Sequence, residues 1–205
     1  MRTLITNGTV VNADVSTQAD VLVDGEQIVA VGRGLAGSDL GAGSERTIDA
    51  SGKYVIPGAI DVHTHMELPF GGTFAKDTFE TGSRAAAFGG TTTILDFAVQ
   101  AKGLSLREGL ETWMAKAEGN ATVDYGFHMI MSDVTPGSLA EMDELVNEGI
   151  TDFKLFTAYP GVFLSDDGAI FRAMQQTEKN GGLIMMHAEN GPVIDVVAAE
   201  LVDEG

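Results

Sequence analysis

Three features predict an α/β fold: five β-rich runs alternating with helix-like segments at a unit length of about thirty residues, glycines closing four of those segments, and polar residues at the ends of several runs. The architecture expected is the first five βα units of a TIM-type (β/α)8 barrel, preceded by part of a small β-sandwich. In residue terms, 1–56 would form the N-terminal part of a composite β-sandwich. Residues 57–205 would form the first part of the barrel, which is incomplete.

The opening region, from Thr3 to Ile56, reads as short strands: L-I-T-N-G-T-V-V, then A-D-V-L-V-D-G-E-Q-I-V-A-V-G, R-T-I-D-A and K-Y-V-I-P. Asp24-Gly25 between two β-rich runs predicts a hairpin, and Asn7-Gly8 a tight turn or bulge. The Gly/Ser-rich piece from Gly32 to Ser44 is a loop. So few strands make only part of a sandwich, so this layer needs partner strands from elsewhere.

Pro57-Gly58 leads into G-A-I-D-V-H-T-H-M-E-L (58–68), whose strand is expected over Ile60–His65. Further strands are expected at 91–97, 123–131, 152–156 and 183–187. Helices should fill 78–88, 105–118, 138–148 and 169–180, with a last one over 193–203. Gly89, Gly119, Gly149 and Gly181 sit where each helix needs a left-handed C-terminal residue. An open doubly wound sheet also accommodates five such units, but it normally places a glycine-rich phosphate loop after the first strand. Here that strand ends in His-Thr-His. Candidate ligands at the ends of later strands match the face on which a barrel builds its active site.

Composition narrows the function classes. Twelve basic against thirty acidic residues give a net charge of −18, which repels phosphate backbones and anionic lipid, so neither nucleic acid nor membrane is an expected partner. The start has no apolar core of signal-peptide length and no later stretch suits a bilayer, which reads as a cytoplasmic location. Cysteine is absent, so any metal would be held by nitrogen and oxygen.

Four side chains can be put on one rim: His63, His65, Lys154 and His187. The period of two along a strand sends both imidazoles of His63-Thr64-His65 to one face, a candidate half-site for metal or simply two wet polar residues at a strand mouth. Lys154, inside D-F-K-L-F, admits two readings. Its ammonium pairs with Asp152, Asp96 or another acid, or its amine, neutral through burial, takes up carbon dioxide as a carbamate that bridges two divalent metals. His187 in M-M-H-A-E-N-G gains weight as a ligand from its companions, whereas His128 lies well before its strand's end and reads as a packed core residue. Asp96 is either an orienting group for a ligand histidine or a loop cap. Tyr159 is placed to donate its phenol to a substrate oxygen, or lies on the loop surface. Phe70, Phe156 and Phe163 either wall a pocket or serve packing.

With these residues in place, the chain resembles the cyclic amidohydrolases of the dihydropyrimidinase and D-hydantoinase group. The likeness runs through L-I-T-N-G-T-V-V-N-A-D, K-Y-V-I-P-G-A-I-D-V-H-T-H-M-E-L-P-F-G-G, G-G-T-T-T-I-L-D-F, D-F-K-L-F-T-A-Y-P-G-V-F and I-M-M-H-A-E-N-G. The resemblance implies hydrolytic ring opening of 5,6-dihydropyrimidines and 5-substituted hydantoins to N-carbamoyl amino acids by a metal-bridging hydroxide. It implies two divalent ions, zinc by preference, with His63 and His65 on the more buried one, His187 on the more exposed one and Lys154 as the bridging carbamate. Tyr159 would stabilise the oxyanion, and Phe70 and Phe156 would sort ring substituents. The partner would be a small cyclic amide, and the assembly a homotetramer or dimer.

A further histidine and an aspartate of the family pattern have no counterpart here, so the 205-residue segment alone should be inactive. Rival readings are an allantoinase, a dihydroorotase-like enzyme or a non-catalytic assembly protein. Glu67 stands where dihydroorotase-like sequences carry an arginine, which disfavours a substrate carboxylate.

Overall fold

The computed structural model describes all 205 residues, which divide into two compact units, Met1–Gly58 and Ala59–Gly205. The first unit is one sheet built from β1 (Arg2–Val11), β2 (Ser16–Asp24), β3 (Gln27–Gly32), β4 (Arg46–Asp49) and β5 (Tyr54–Val55). Strands β3, β2, β1 and β4 lie side by side in that order, and β5 also pairs with β1. The expected hairpin joins β2 to β3 at Gly25, whose φ is 60°. At Asn7-Gly8 the outcome is a bulge: the β1–β2 register shifts between Ile5 and Gly8, and Asn7 has a φ of 61°. The buried carboxylate of Asp20 pins it, accepting from Asn7 N at 2.9 Å and from Leu35 N at 2.9 Å. One polar side chain thus fixes both the bulge and the 3-10 turn at Leu35–Gly37. Leu4, Leu22 and Leu35 pack as one apolar cluster, while Ile28, Val29 and Val31 stay exposed.

The second unit contains β6 (Ala59–Thr64), a two-stranded hairpin of β7 (Pro69–Phe70) and β8 (Thr73–Phe74), then α1 (Phe79–Gly89), β9 (Thr91–Val99), α2 (Leu106–Ala117) and β10 (Asp124–Ile130). It continues through α3 (Pro136–Asn147), β11 (Asp152–Phe156), α4 (Asp167–Asn180), β12 (Leu183–His187) and α5 (Gly191–Glu204). The strands of its main sheet run β6-β9-β10-β11-β12 and every pair is parallel. That order decides between the two sequence expectations. A doubly wound sheet reverses direction at a switch point, whereas this one adds each new strand to the last, which is how a barrel wall grows.

Local chemistry explains the boundaries. The side chains of Thr78, Ser105 and Thr135 each accept a hydrogen bond from the backbone N–H three residues on, and each residue's own backbone N–H donates to the side chain at that position, closing capping boxes at α1, α2 and α3. Asp166 and Asn190 cap α4 and α5. Gly119, Gly149 and Gly181 are left-handed as expected, but α1 runs through Gly89 and hands that conformation to Gly90, at φ 87°. The β7–β8 hairpin was not foreseen, although its Gly71-Gly72 turn is a recognisable signal.

Alternation along each strand sorts the core. Ile94, Met129, Phe153 and Leu155 join Phe79, Leu106, Trp113, Met142 and Leu145 between sheet and helices. Phe97, Ile130 and Phe156 point to the opposite face, with Phe163. Helix α2 approaches β9 so closely that a Cβ on Gly109 would lie 2.7 Å from Val99 O and 2.8 Å from Met129 Cε. Alanine favours a helix by up to about 1 kcal/mol over glycine, but overpacking against a fixed backbone oxygen costs about 1–3 kcal/mol. Gly109→Ala is therefore expected to lower the thermal midpoint of the full-length protein, as read by calorimetry.

Candidate active site

On the face of the parallel sheet away from the helices, a cavity of ≈ 430 Å³ is lined by His63, His65, Leu68, Phe70, Ile130, Lys154, Phe156, Tyr159, Phe163 and His187. Every residue singled out from the sequence for metal or substrate is therefore brought to one place. Strand β6 carries His63, and His65 follows its last residue, Thr64. Their Nε2 atoms are 3.2 Å apart and the rings meet edge to face. Both sit beside Phe97, at ring separations of 4.6 and 4.8 Å. Burial, then the nearby Lys154, lowers the pKa of both imidazoles, that of His65 to about 4. Near neutral pH each has a free lone pair, and the buried Nδ1 of His65 has no hydrogen-bond partner.

Lys154, on β11, is 6% exposed. Its Nζ lies 3.4 Å from His63 Nε2 and 4.2 and 5.2 Å from the ring centres of Phe97 and Phe156. The acid partners considered from sequence are elsewhere: Asp152 faces His128, with 3.4 Å between Oδ2 and Nδ1, and Asp96 bonds to Trp113 Nε1 at 3.2 Å. An amine buried among apolar rings and imidazoles, with no carboxylate to hold its charge, has its pKa lowered by desolvation. His128 is the packed residue expected: its Nε2–H donates to Val62 O at 3.0 Å.

His187 ends β12. Its Nε2 is 3.4 Å from the Tyr159 hydroxyl and pairs with the carboxylate of Glu189. Glu189 was not singled out from sequence, although a carboxylate two residues beyond a candidate ligand is a usable signal. Tyr159 adopts φ 61°, a left-handed conformation costly for a bulky side chain. Its carbonyl accepts from the N–H groups of Val162, Phe163 and Leu164, so the loop holds the strain. The ring meets Phe70 edge-on at 5.0 Å, while Phe156 stacks on Phe163 at 4.9 Å and on His187 at 5.3 Å. Glu67 does not line this cavity; it borders a separate hollow with Lys76, Phe74 and Lys116.

Asp96, which the sequence leaves between orienting a ligand histidine and capping a loop, makes no direct contact with a histidine ring. Its carboxylate reaches neither imidazole, accepting instead from Thr64 Oγ1 at 2.8 Å, Met66 N at 2.7 Å and Phe97 N at 2.8 Å, besides Trp113. Burial raises its pKa against the pull of those four donors.

The nitrogen-rich cluster lies at the strand ends of a parallel (β/α) wall, and sequence comparison places that wall in a known family. The profile of the amidohydrolase family matches residues 54–201, and the chain belongs to that family. Within it, the chain is 60% identical to a D-hydantoinase of Streptomyces coelicolor and 48% identical to one of Geobacillus stearothermophilus. All of this chain is covered in both matches, against 44% and 43% of those relatives. It superposes on the crystal structure of a dihydropyrimidinase from Brevibacillus agri with a TM-score of 0.94 and 48% identity, covering 100% of this chain and 44% of that one. The chain thus spans less than half the length of the relatives it matches. No helix is long and apolar enough to cross a membrane.

Proposed function

We propose that the whole protein is a metal-dependent hydrolase that opens cyclic amides, namely 5,6-dihydropyrimidines and 5-substituted hydantoins, to N-carbamoyl amino acids. The observation that carries this reading is that His63 Nε2 lies 3.4 Å from Lys154 Nζ and 3.2 Å from His65 Nε2, with no carboxylate partner for the amine. No group of three or more His, Cys, Asp or Glu residues in this chain forms a metal cluster by itself, and the Lys154 amine would add a further donor. As a carbamate, formed when the neutral amine adds to carbon dioxide and releases a proton, it becomes an anion with two oxygens. His63, His65, His187 and the carbamate of Lys154 would then hold a pair of divalent cations, with zinc suited to nitrogen and oxygen ligands. Such ions would supply Lewis acidity, lowering the pKa of bound water to about 7 and polarising the ring carbonyl.

The chain's own side chains do the rest. Tyr159 donates its phenol to the carbonyl oxygen as that oxygen gains charge. Phe70 and Phe156 wall the cavity, exclude water and meet the ring substituent. Strands β6 and β12 each have one unpaired edge in the sheet, so we assign activity to a chain in which further strands close the barrel. The exposed face of the N-terminal sheet is assigned the same need for partner strands. We further place the enzyme in the cytoplasm as a homo-oligomer, tetramer or dimer.

The test compares turnover of dihydrouracil, a 5-substituted hydantoin and allantoin by the full-length protein, with metal content measured alongside. Ring opening of the first two, with about two zinc ions per chain, is expected. Exclusive turnover of allantoin would replace the substrate assignment, and a metal-free, inert protein would favour a non-catalytic assembly role.

A further inference from the structure

Asp96 is 0% exposed, on the face of β9 that meets α2. A carboxylate so deeply buried is costly unless a cation or several donors compensate it. No cation does: Asp96 is in no ion pair, and Lys154 lies over the ring of the next residue, Phe97, which points to the opposite face. Four donors do so instead. Oδ2 receives Thr64 Oγ1 and Met66 N, while Oδ1 receives Phe97 N and Trp113 Nε1.

The Oδ2 pair matters most, because Thr64 sits between His63 and His65 and Met66 follows them. The ladder between β6 and β9 shifts register between Asp61 and Thr64, and His63 has no partner residue in it; its N–H donates instead to Asp61 Oδ1 at 3.1 Å. Pairing resumes at Thr64 opposite Asp96, and the Asp96 side chain adds bonds to Thr64 Oγ1 and Met66 N beyond that point. Trp113 fixes the other oxygen. Lys116, one turn along α2, lies 4.0 Å from the Trp113 ring centre and donates to Glu67 O at 3.4 Å, which ties the same helix to the same segment.

We propose that Asp96, held by Trp113, is the positioning residue for the His63–His65 pair: it fixes the backbone of residues 64–66 and so keeps both Nε2 atoms within reach of one cation before that cation arrives. This rests on the reading of the two histidines as metal ligands. Asp96 touches neither imidazole and is not itself a catalytic residue.

The test uses the full-length protein and three readouts: zinc affinity by competition with a chromophoric chelator, thermal midpoint, and the crystal structure of the metal-free form. Asp96→Asn keeps the shape but turns an amide N–H2 toward one pair of donors. It is expected to weaken zinc binding by about 10–100-fold and to widen the spacing of the two imidazoles without metal. Thr64→Val, which removes one donor, should weaken zinc severalfold. Thr64→Ser, which keeps the hydroxyl, should restore the parent affinity. A lower midpoint with unchanged zinc affinity and unchanged imidazole spacing would reduce Asp96 to a structural residue and overturn the proposal. Should Asp96→Asn fail to fold, an unchanged zinc affinity in Thr64→Val would overturn it equally. Zinc affinity unaffected by His65→Ala would instead remove the metal reading, leaving the metal-free spacing to decide the positioning role.

Discussion

Lys154→Ala in the full-length protein is expected to lose its bound zinc and to fall in kcat/KM by roughly 10³-fold or more, with short carboxylic acids such as propionate restoring part of both. The size follows from what the cations contribute. Lewis acid and nucleophile generation are worth several kcal/mol, and each tenfold in rate is about 1.4 kcal/mol. The rescue follows from the space left behind, because a small carboxylate offers the two oxygens that the carbamate would present, in a gap walled by Phe97 and Phe156. Lys154→Met separates charge from packing: it keeps a long apolar stem over both rings and should fold as well as the parent, yet it too should bind no zinc. Atomic absorption on the three proteins, read against mass spectrometry for an added carbon dioxide on the parent, checks the prediction. Full zinc occupancy in Lys154→Ala would refute the bridging role.

What the sequence revealed about this site depended on how local each signal was. The His63–His65 pair was legible because a two-residue period acts within one strand. Lys154 stood out as a charged residue inside an apolar run, and a barrel order of strands followed from repeat length and ligand placement. The partners that stabilise these groups were not legible. Trp113 meets Asp96 only because α2 packs tightly on β9 at Gly109, a contact between elements that no spacing encodes. The acid partners weighed for Lys154 failed for a related reason: Asp96 points to the other face of its strand, and Asp152 lies beside His128 instead. Glu67 looked relevant by its distance from His65, but with φ 54° it turns the chain away, and it lines another hollow. Residues that carry the chemistry were therefore easier to find than those that hold them in place.

The phenol of Tyr159 gives the second large effect, and here the sign in kcat and in KM differs in what it reports. Tyr159→Phe removes one oxygen and keeps the edge-on contact with Phe70 and the packing beside Phe156. A donor that acts on charge developing in the transition state contributes about 3–4 kcal/mol, so kcat should fall by roughly 10²–10³-fold while KM changes little. The backbone supports that assignment, because a tyrosine held at φ 61° by three bonds to its carbonyl has been placed at a cost of about 1–3 kcal/mol. Zinc content should stay at the parent level in Tyr159→Phe, which distinguishes loss of an oxyanion donor from damage to the neighbouring His187, 3.4 Å from the hydroxyl. A variant with full metal and undiminished kcat on dihydrouracil would show that the phenol does not act on the carbonyl oxygen. A raised KM with kcat intact would make it a binding group, engaged equally with substrate and transition state.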